Sequence, residues 1–172
     1  MRKYFIFGSL LCFLLILCSF AQAAQATGSI TVTVLVRGSF NLLVDTDSVD
    51  FARLMPGQKG EITRTGGVVV AGTSTNSNPW YLKVAAVNPL SSGNDFIPNE
   101  NFTWYGTSED SGSWLGAKEK NFSETNNTAY ISSFEESETA KRIINKFKFG
   151  LRVPQDTKPG VYTTTVMFTM TE

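Results

Sequence analysis

The chain has 172 residues, 42% of them hydrophobic, with 15 basic and 15 acidic side chains and no histidine. This length is typical of one domain that buries a substantial core. The lack of histidine excludes Ser-His and Cys-His catalysis and histidine-ligated metal sites, and the balanced charge offers no basic excess for nucleic acid.

The first 26 residues have the pattern of a secretory signal peptide. Arg2 and Lys3 precede an apolar run over residues 4–20, and small residues follow it. We expect cleavage after Ala23 or Ala26 and a mature protein that is secreted to the cell surface, the periplasm or the medium, without membrane contact.

Two alternatives to cleavage are an uncleaved membrane anchor and a lipoprotein attached at Cys18. The apolar run is short for a membrane span, which needs roughly 20 residues. Leu17 is a poor residue before a lipidated cysteine. Cleavage also removes Cys12 and Cys18, so residues 27–172 are expected to form a single domain without a disulfide.

The mature region begins with an alternating β-forming segment over residues 28–36, interrupted at 37–39 and resumed over 40–44. Two interpretations stay open. The segment is either the first strand of its own sandwich or a donor strand that completes the sheet of a neighbouring subunit. The candidate partner-binding side chains are Ile30, Val32, Val34 and Val36.

Three carboxylates follow closely at Asp45, Asp47 and Asp50. Their proximity suggests a calcium loop, but the spacing lacks the glycine and the distal glutamate of the twelve-residue loop. Ordinary turn chemistry at strand ends is the alternative. Further strands are expected at residues 60–64, 67–72 and 80–88, with a polar loop over 73–78.

Residues 88–140 form an aromatic-rich and loop-rich insertion, with short strands expected at 101–106, 113–117 and 129–134. Trp104, Tyr105 and Trp114 are candidate glycan-binding residues, because flat rings can cover the apolar face of a pyranose. The alternative is that these rings close the open ends of the sandwich. A solvated face is expected for the charged side chains of Glu135, Glu136 and Glu138.

Residues 147–172 contain two alternating segments joined by a connection with Pro154, Pro159 and Gly160. The alternation predicts two strands of a closing hairpin, each with one apolar face. Such faces must be covered by a second sheet. Tyr162 is expected to act as a tyrosine corner, its hydroxyl bonding back to the turn. The sequence therefore predicts an all-β, immunoglobulin-like antiparallel β-sandwich.

Short motifs carry a resemblance over about half of the mature chain. Trp80-Tyr81-Leu82 resembles the first tripeptide of W-x-L surface domains, and Phe168-Thr169-Met170 stands where the second is found, with Phe for Trp and Met for Leu. The ending, with Asp50-Phe51, is also similar to the spore coat protein U and related pilus-subunit family, whose members usually carry paired cysteines that this mature chain lacks. The resemblance implies a secreted β-sandwich on a surface or in an appendage. Core packing is the plain alternative for Trp80, Leu82, Tyr162, Phe168 and Met170.

The inventory of reactive groups predicts no enzyme and no cofactor. The sequence has no phosphate-binding glycine loop, and the adjacent Glu109 and Asp110 are typical of a solvated loop rather than of a hydrolytic pair. We expect a non-catalytic structural subunit that associates through sheet edges with its own kind or with another surface protein. A carbohydrate- or cell-wall-binding module is the alternative.

Overall fold

A computed structural model describes residues 38–62 and 66–172, and this part of the chain is almost entirely β-structure. The expected signal peptide and the candidate donor strand, including Ile30, Val32, Val34 and Val36, lie outside the described residues. In chain order the strands are β1 Phe40–Val44, β2 Lys59–Glu61, β3 Val68–Ser74, β4 Tyr81–Ala86, β5 Leu90–Ser92, β6 Asp95–Ile97, β7 Phe102–Ser108, β8 Ser113–Trp114, β9 Lys120–Asn121, β10 Asn127–Ile131, β11 Ile143–Arg152 and β12 Val166–Thr171. A 3-10 turn covers Asn99–Asn101 and a short helix, α1, covers Phe134–Glu138.

The strands form two antiparallel sheets and a small ribbon. The first sheet has the order β1-β3-β11-β7-β9, with β2 also paired to β11, and the second has the order β12-β4-β10-β8. Strands β5 and β6 form the ribbon. The sheets share one apolar core, which confirms the predicted antiparallel sandwich.

Strand β11 shows why the sequence folds in this way. Its side chains at alternate positions from Ile143 to Leu151 are buried, and the residues between them include the more exposed Ile144, Lys146 and Lys148. Period-two alternation places one set on the core face, since successive side chains leave a strand on opposite sides. Strand β11 is therefore the spine of the first sheet, with β3 and β2 on one side and β7 on the other.

The predicted closing hairpin is wrong. Strand β11 belongs to the first sheet, whereas β12 pairs with β4 in the second. The connection over residues 153–165 crosses between the sheets, and the rings of Phe147 and Phe168 meet across the core with centroids 4.9 Å apart. Alternation specifies the buried face of each strand but not its neighbour, and a connection of this length allows the chain to change sheets.

Most other expected strands are present with shifted ends. The strand expected at 129–134 ends at Ile131, because Ser133 is the N-cap of α1. In this capping box the Ser133 hydroxyl accepts from the Glu136 N–H, and the Glu136 carboxylate accepts from the Ser133 N–H. The expected solvated face is wrong for Glu136, which is 1% exposed. Glu135 and Glu138 are exposed, as predicted.

Candidate functional site at the open sheet edges

Strands β1 and β12 are the long outer strands of the two sheets. Among the described strands, β1 pairs only with β3 and β12 only with β4. Cα atoms of β1 and β12 approach within 8 Å, so both edges lie on the same side of the sandwich. The opposite edges end in the two-residue strands β9 and β8, which offer short templates for pairing.

Side chains between these two edges are less buried than those at the centre of the core. We call them the seam, and its members are Leu42, Val44, Val166, Phe168 and Met170. Each packs against the core but stays partly exposed. On the outer faces of the same strands, Leu43 is 54% exposed and Met167 is 46% exposed. The sandwich therefore presents apolar surface beside two backbone edges, which is the chemistry needed for adding a strand.

The two W-x-L-like tripeptides meet at the seam, to which Phe168 and Met170 belong. Strand pairing places Leu82 opposite Met170. Trp80 and Leu82 are fully buried, whereas Phe168 and Met170 are half-buried. A Cβ atom at Gly72 would lie 3.0 Å from Trp80 Cη2 and 3.1 Å from Met170 Sδ, so the missing side chain makes room for both. In this structure the tripeptides contribute core packing.

Tyr162 confirms the predicted tyrosine corner. Its hydroxyl donates to the Lys158 carbonyl over 3.0 Å and closes the turn that precedes β12. The ring is half-buried and packs against the core. The residue therefore holds the crossing connection to the body of the domain.

The structure does not place Trp104, Tyr105 and Trp114, the predicted glycan platform, on one exposed surface. Trp104 is 0% exposed, with its ring 6.2 Å from that of Trp114 and 5.8 Å from that of Phe147, so it is a core residue and the prediction of a sugar contact is wrong for it. Trp114 is half-buried and donates its Nε1–H to the Gly106 carbonyl over 2.9 Å. Tyr105 faces the other side of β7, because consecutive residues of a strand point in opposite directions.

The surroundings of Tyr105 are charged. Lys148 Nζ lies 5.8 Å from its ring centroid. Burial and a hydrogen bond with Glu61 raise the pKa of its hydroxyl above the ordinary value, so Tyr105 remains neutral at physiological pH.

The carboxylates at 45, 47 and 50 accept local hydrogen bonds. Asp45 Oδ1 accepts from the Val69 N–H over 2.9 Å, and Asp50 Oδ1 accepts from the Ala52 N–H over 2.8 Å. Asp47 Oδ1 accepts from the neighbouring Ser48 hydroxyl. Within residues 38–62 and 66–172, no group of three acidic side chains is placed to hold a metal ion. These contacts match the ordinary turn chemistry expected at strand ends.

Glu109 and Asp110 contact different lysines. Glu109 Oε1 lies 2.7 Å from Lys146 Nζ, and Asp110 Oδ1 lies 3.1 Å from Lys141 Nζ. Asp110 also accepts from the Ile144 N–H over 2.7 Å. Each carboxylate thus fastens the loop to the start of β11.

Glu136 and Tyr130 form a buried polar cluster that sequence reasoning missed. The Tyr130 hydroxyl donates to the Glu136 carboxylate over 2.8 Å, and the N–H groups of Ser111, Gly112 and Ser133 also donate to it. The spacing Ser133-x-x-Glu136 is a capping-box signal that predicts the local part of this geometry. The contacts with Ser111 and Gly112 depend on the tertiary fold.

Hydrogen bonding determines the ionisation of this cluster. Burial acts to raise the pKa of Glu136, but donors from Ser133, Tyr130 and Ser111 outweigh it and hold the pKa below the ordinary value. Burial and the neighbouring Glu136 carboxylate raise the pKa of Tyr130. The cluster therefore consists of the ionised Glu136 carboxylate and the neutral Tyr130 phenol. It joins the loop at 111–112, β10 and α1.

None of the helices in the described ranges has the length and hydrophobicity needed to span a bilayer.

Comparison with known proteins identifies no family. No protein-family model and no curated protein matches the chain. A family 123 glycoside hydrolase from Clostridium perfringens, whose structure was analysed for glycolipid glycan hydrolysis, is similar with a TM-score of 0.40 and 14% identity, over 78% of this chain and 25% of that one. This chain thus spans about a quarter of the hydrolase, and a likeness of this size says nothing about activity.

Proposed function

We propose that the chain is a secreted, non-catalytic surface or appendage subunit that associates with a second copy through its open sheet edges. The observation that carries this proposal is the seam: partly exposed apolar side chains lie between two outer strands on one side of the sandwich. Strand addition to such an edge combines main-chain hydrogen bonds with burial of alternate side chains.

The proposed occupant of the seam is residues 28–36 of the second copy. This segment alternates Ile or Val with Thr or Leu, so one of its faces is fully aliphatic. Nine extended residues span about 30 Å, which is enough to cover the six residues of β12. The aliphatic face formed by Ile30, Val32, Val34 and Val36 would complete the burial of the seam.

A structural role agrees with the chemistry of the described residues. Glu109 and Asp110 bond to lysines, and Glu136 is enclosed by donors. The resemblance to W-x-L and spore coat U-like proteins points to the same class of secreted surface proteins. Cell-surface or appendage location and export through the signal peptide are parts of this proposal.

The test compares two double variants on opposite faces of the segment. Val32→Asp with Val34→Asp places charges on the aliphatic face, and Thr31→Asp with Thr33→Asp places the same charges on the other face. We expect the wild-type mature chain and the threonine variant to associate as concentration rises, and the valine variant to remain a folded monomer. Sedimentation velocity measures association, and near-ultraviolet circular dichroism measures folding.

Three results would contradict strand addition between copies. The first is a wild-type chain that stays monomeric over the whole concentration series. The second is equal loss of association in both variants, because it would remove the dependence on the aliphatic face. The third is loss of the folded signal in the valine variant alone, since that would assign residues 28–36 to their own subunit's core.

A further inference from the structure

A cleft of about 610 Å³ lies between the β5–β6 ribbon and the crossing connection that precedes β12. Its lining includes Asp95, Phe96, Glu100, Asn101, Asp156 and Lys158. Its volume falls in the range of small-molecule pockets. The cleft does not include the seam residues of β1 and β12.

The two walls of the cleft are held in place by direct bonds. Ser91 on the ribbon and Thr163 on the connection exchange two backbone hydrogen bonds of 3.0 Å each. Lys158 Nζ lies 2.7 Å from Asp95 Oδ1 and joins the same two segments. Within the connection, the Tyr162 hydroxyl donates to the Lys158 carbonyl and holds the backbone of Lys158 in place. A ligand would therefore meet a largely preformed site, which lowers the entropy cost of binding.

Phe96 gives the cleft an exposed flat apolar surface. Its ring is 63% exposed, whereas most rings of the described residues are buried or partly buried. Phe96 and its neighbours Asp95 and Ile97 form the second strand of the ribbon, where Ile97 is buried and Phe96 points outward. A ring held outward on a paired strand is suited to stacking against the apolar face of a pyranose.

The polar lining selects the charge of the ligand. Lys158 neutralises Asp95, which leaves the carboxylates of Glu100 and Asp156 in excess. This excess repels anions such as phosphates and uronic acids. The Asn101 amide supplies both donors and acceptors, and sugar hydroxyls also act as both.

We propose that this cleft binds a neutral saccharide, with Phe96 stacked on a pyranose ring and with Glu100, Asn101 and Asp156 bonded to its hydroxyls. This inference is separate from edge association, because it uses other residues. It places the glycan contact between the β5–β6 ribbon and the connection that precedes β12. The sequence pattern favours a different place, the region around Trp104.

The experiment titrates the mature chain with five separate probes while recording ¹H–¹⁵N spectra. Maltotriose, cellotriose and chitotriose are the neutral probes, trigalacturonate is the anionic probe and spermine is the cationic probe. We expect at least one neutral trisaccharide to shift amide resonances of the ribbon and of residues 154–162. Phe96→Ala is expected to weaken that binding about tenfold, the size of one aromatic contact.

The matched control is Phe134→Ala, which removes another exposed ring, 58% accessible, at the start of α1. This variant should bind the saccharide as the wild type does, and both variants should keep the wild-type melting temperature and the wild-type association. Absence of shifts with all three neutral probes would overturn the proposal. So would binding that survives Phe96→Ala, or shifts with trigalacturonate or spermine alone.

Discussion

At the residue scale, Glu136 shows how this chain buries a charge without a cation. Its carboxylate accepts from the Tyr130 hydroxyl and from N–H groups of Ser111, Gly112 and Ser133. A buried carboxylate is costly unless its lone pairs are satisfied, and here these donors and the Ser111 hydroxyl satisfy them. Because these donors come from the loop at 111–112, from β10 and from the start of α1, the side chain joins all three segments.

We predict that Glu136→Gln lowers the free energy of unfolding by about 2 kcal/mol or more, since an amide cannot accept from all of these donors. The control Glu135→Gln changes an exposed neighbour on the same helix and should stay within about 0.5 kcal/mol of the wild type. Urea unfolding at pH 7 measures both. Equal stability of the two variants would show that the cluster contributes nothing.

The same variant gives a pH dependence with a defined sign. The folded-state pKa of Glu136 lies below the ordinary value of 4.5. The ionised carboxylate therefore makes its full contribution to the free energy of unfolding above pH 4.5, and this contribution is lost as pH falls through the folded-state pKa. The stability difference between wild type and Glu136→Gln should therefore be constant near neutrality and shrink in acid. Melting temperatures of both proteins across an acid pH series measure this stability difference. A difference that grows in acid would contradict the lowered folded-state pKa of Glu136.

At the element scale, the connection between β11 and β12 decides the topology. It leaves the first sheet after Arg152 and enters the second at Val166. Tyr162 fastens its turn through the bond to the Lys158 carbonyl, and Thr163 pairs with Ser91 of the ribbon. The connection is therefore an ordered arch across the end of the sandwich.

Tyr162→Phe should destabilise the protein by about 0.5–1.5 kcal/mol, the usual contribution of one hydrogen bond. Tyr81→Phe on β4 is the matched control, because its hydroxyl makes no hydrogen bond within the described residues, and it should be nearly neutral. Thermal unfolding of the three proteins in parallel measures the difference. A Tyr162→Phe melting curve that overlays the wild-type curve would show that the Tyr162 hydrogen bond does not contribute to stability.

At the scale of the whole molecule, one core is shared by both sheets. Phe147 of β11 contacts Trp104 in its own sheet and Trp114 and Phe168 in the other, with ring centroids 4.9–5.8 Å apart. A ring in this position couples the two layers, and the sheets are expected to unfold together.

Phe147→Ala is predicted to cost roughly 3–5 kcal/mol, because it leaves a cavity between the sheets. Tryptophan fluorescence and far-ultraviolet circular dichroism should report one coincident transition, shifted to lower urea. The exposed Phe134→Ala serves as the control, with a change within about 0.5 kcal/mol. Two separate transitions would mean that the sheets are stabilised independently.

The alternation of apolar residues was sufficient to predict the sandwich and most of its strands. In β11, side-chain parity separates the buried side chains from the more exposed ones, because the direction of a side chain is a local property of extended backbone. The tyrosine corner at Tyr162 was also predictable, since its hydroxyl reaches a carbonyl only four residues away. The capping box at Ser133 is local in the same sense.

Only the tertiary structure decided which strands are neighbours and which rings are accessible. Strands β11 and β12 have matching patterns but lie in opposite sheets. The seam exists because the edge strands β1 and β12 lie on the same side of the sandwich. Trp104 is buried and Phe96 exposed, although both lie in the aromatic-rich segment. The choice of neighbouring strand and the covering of a given ring depend on contacts between residues far apart in sequence, and local alternation does not specify those contacts.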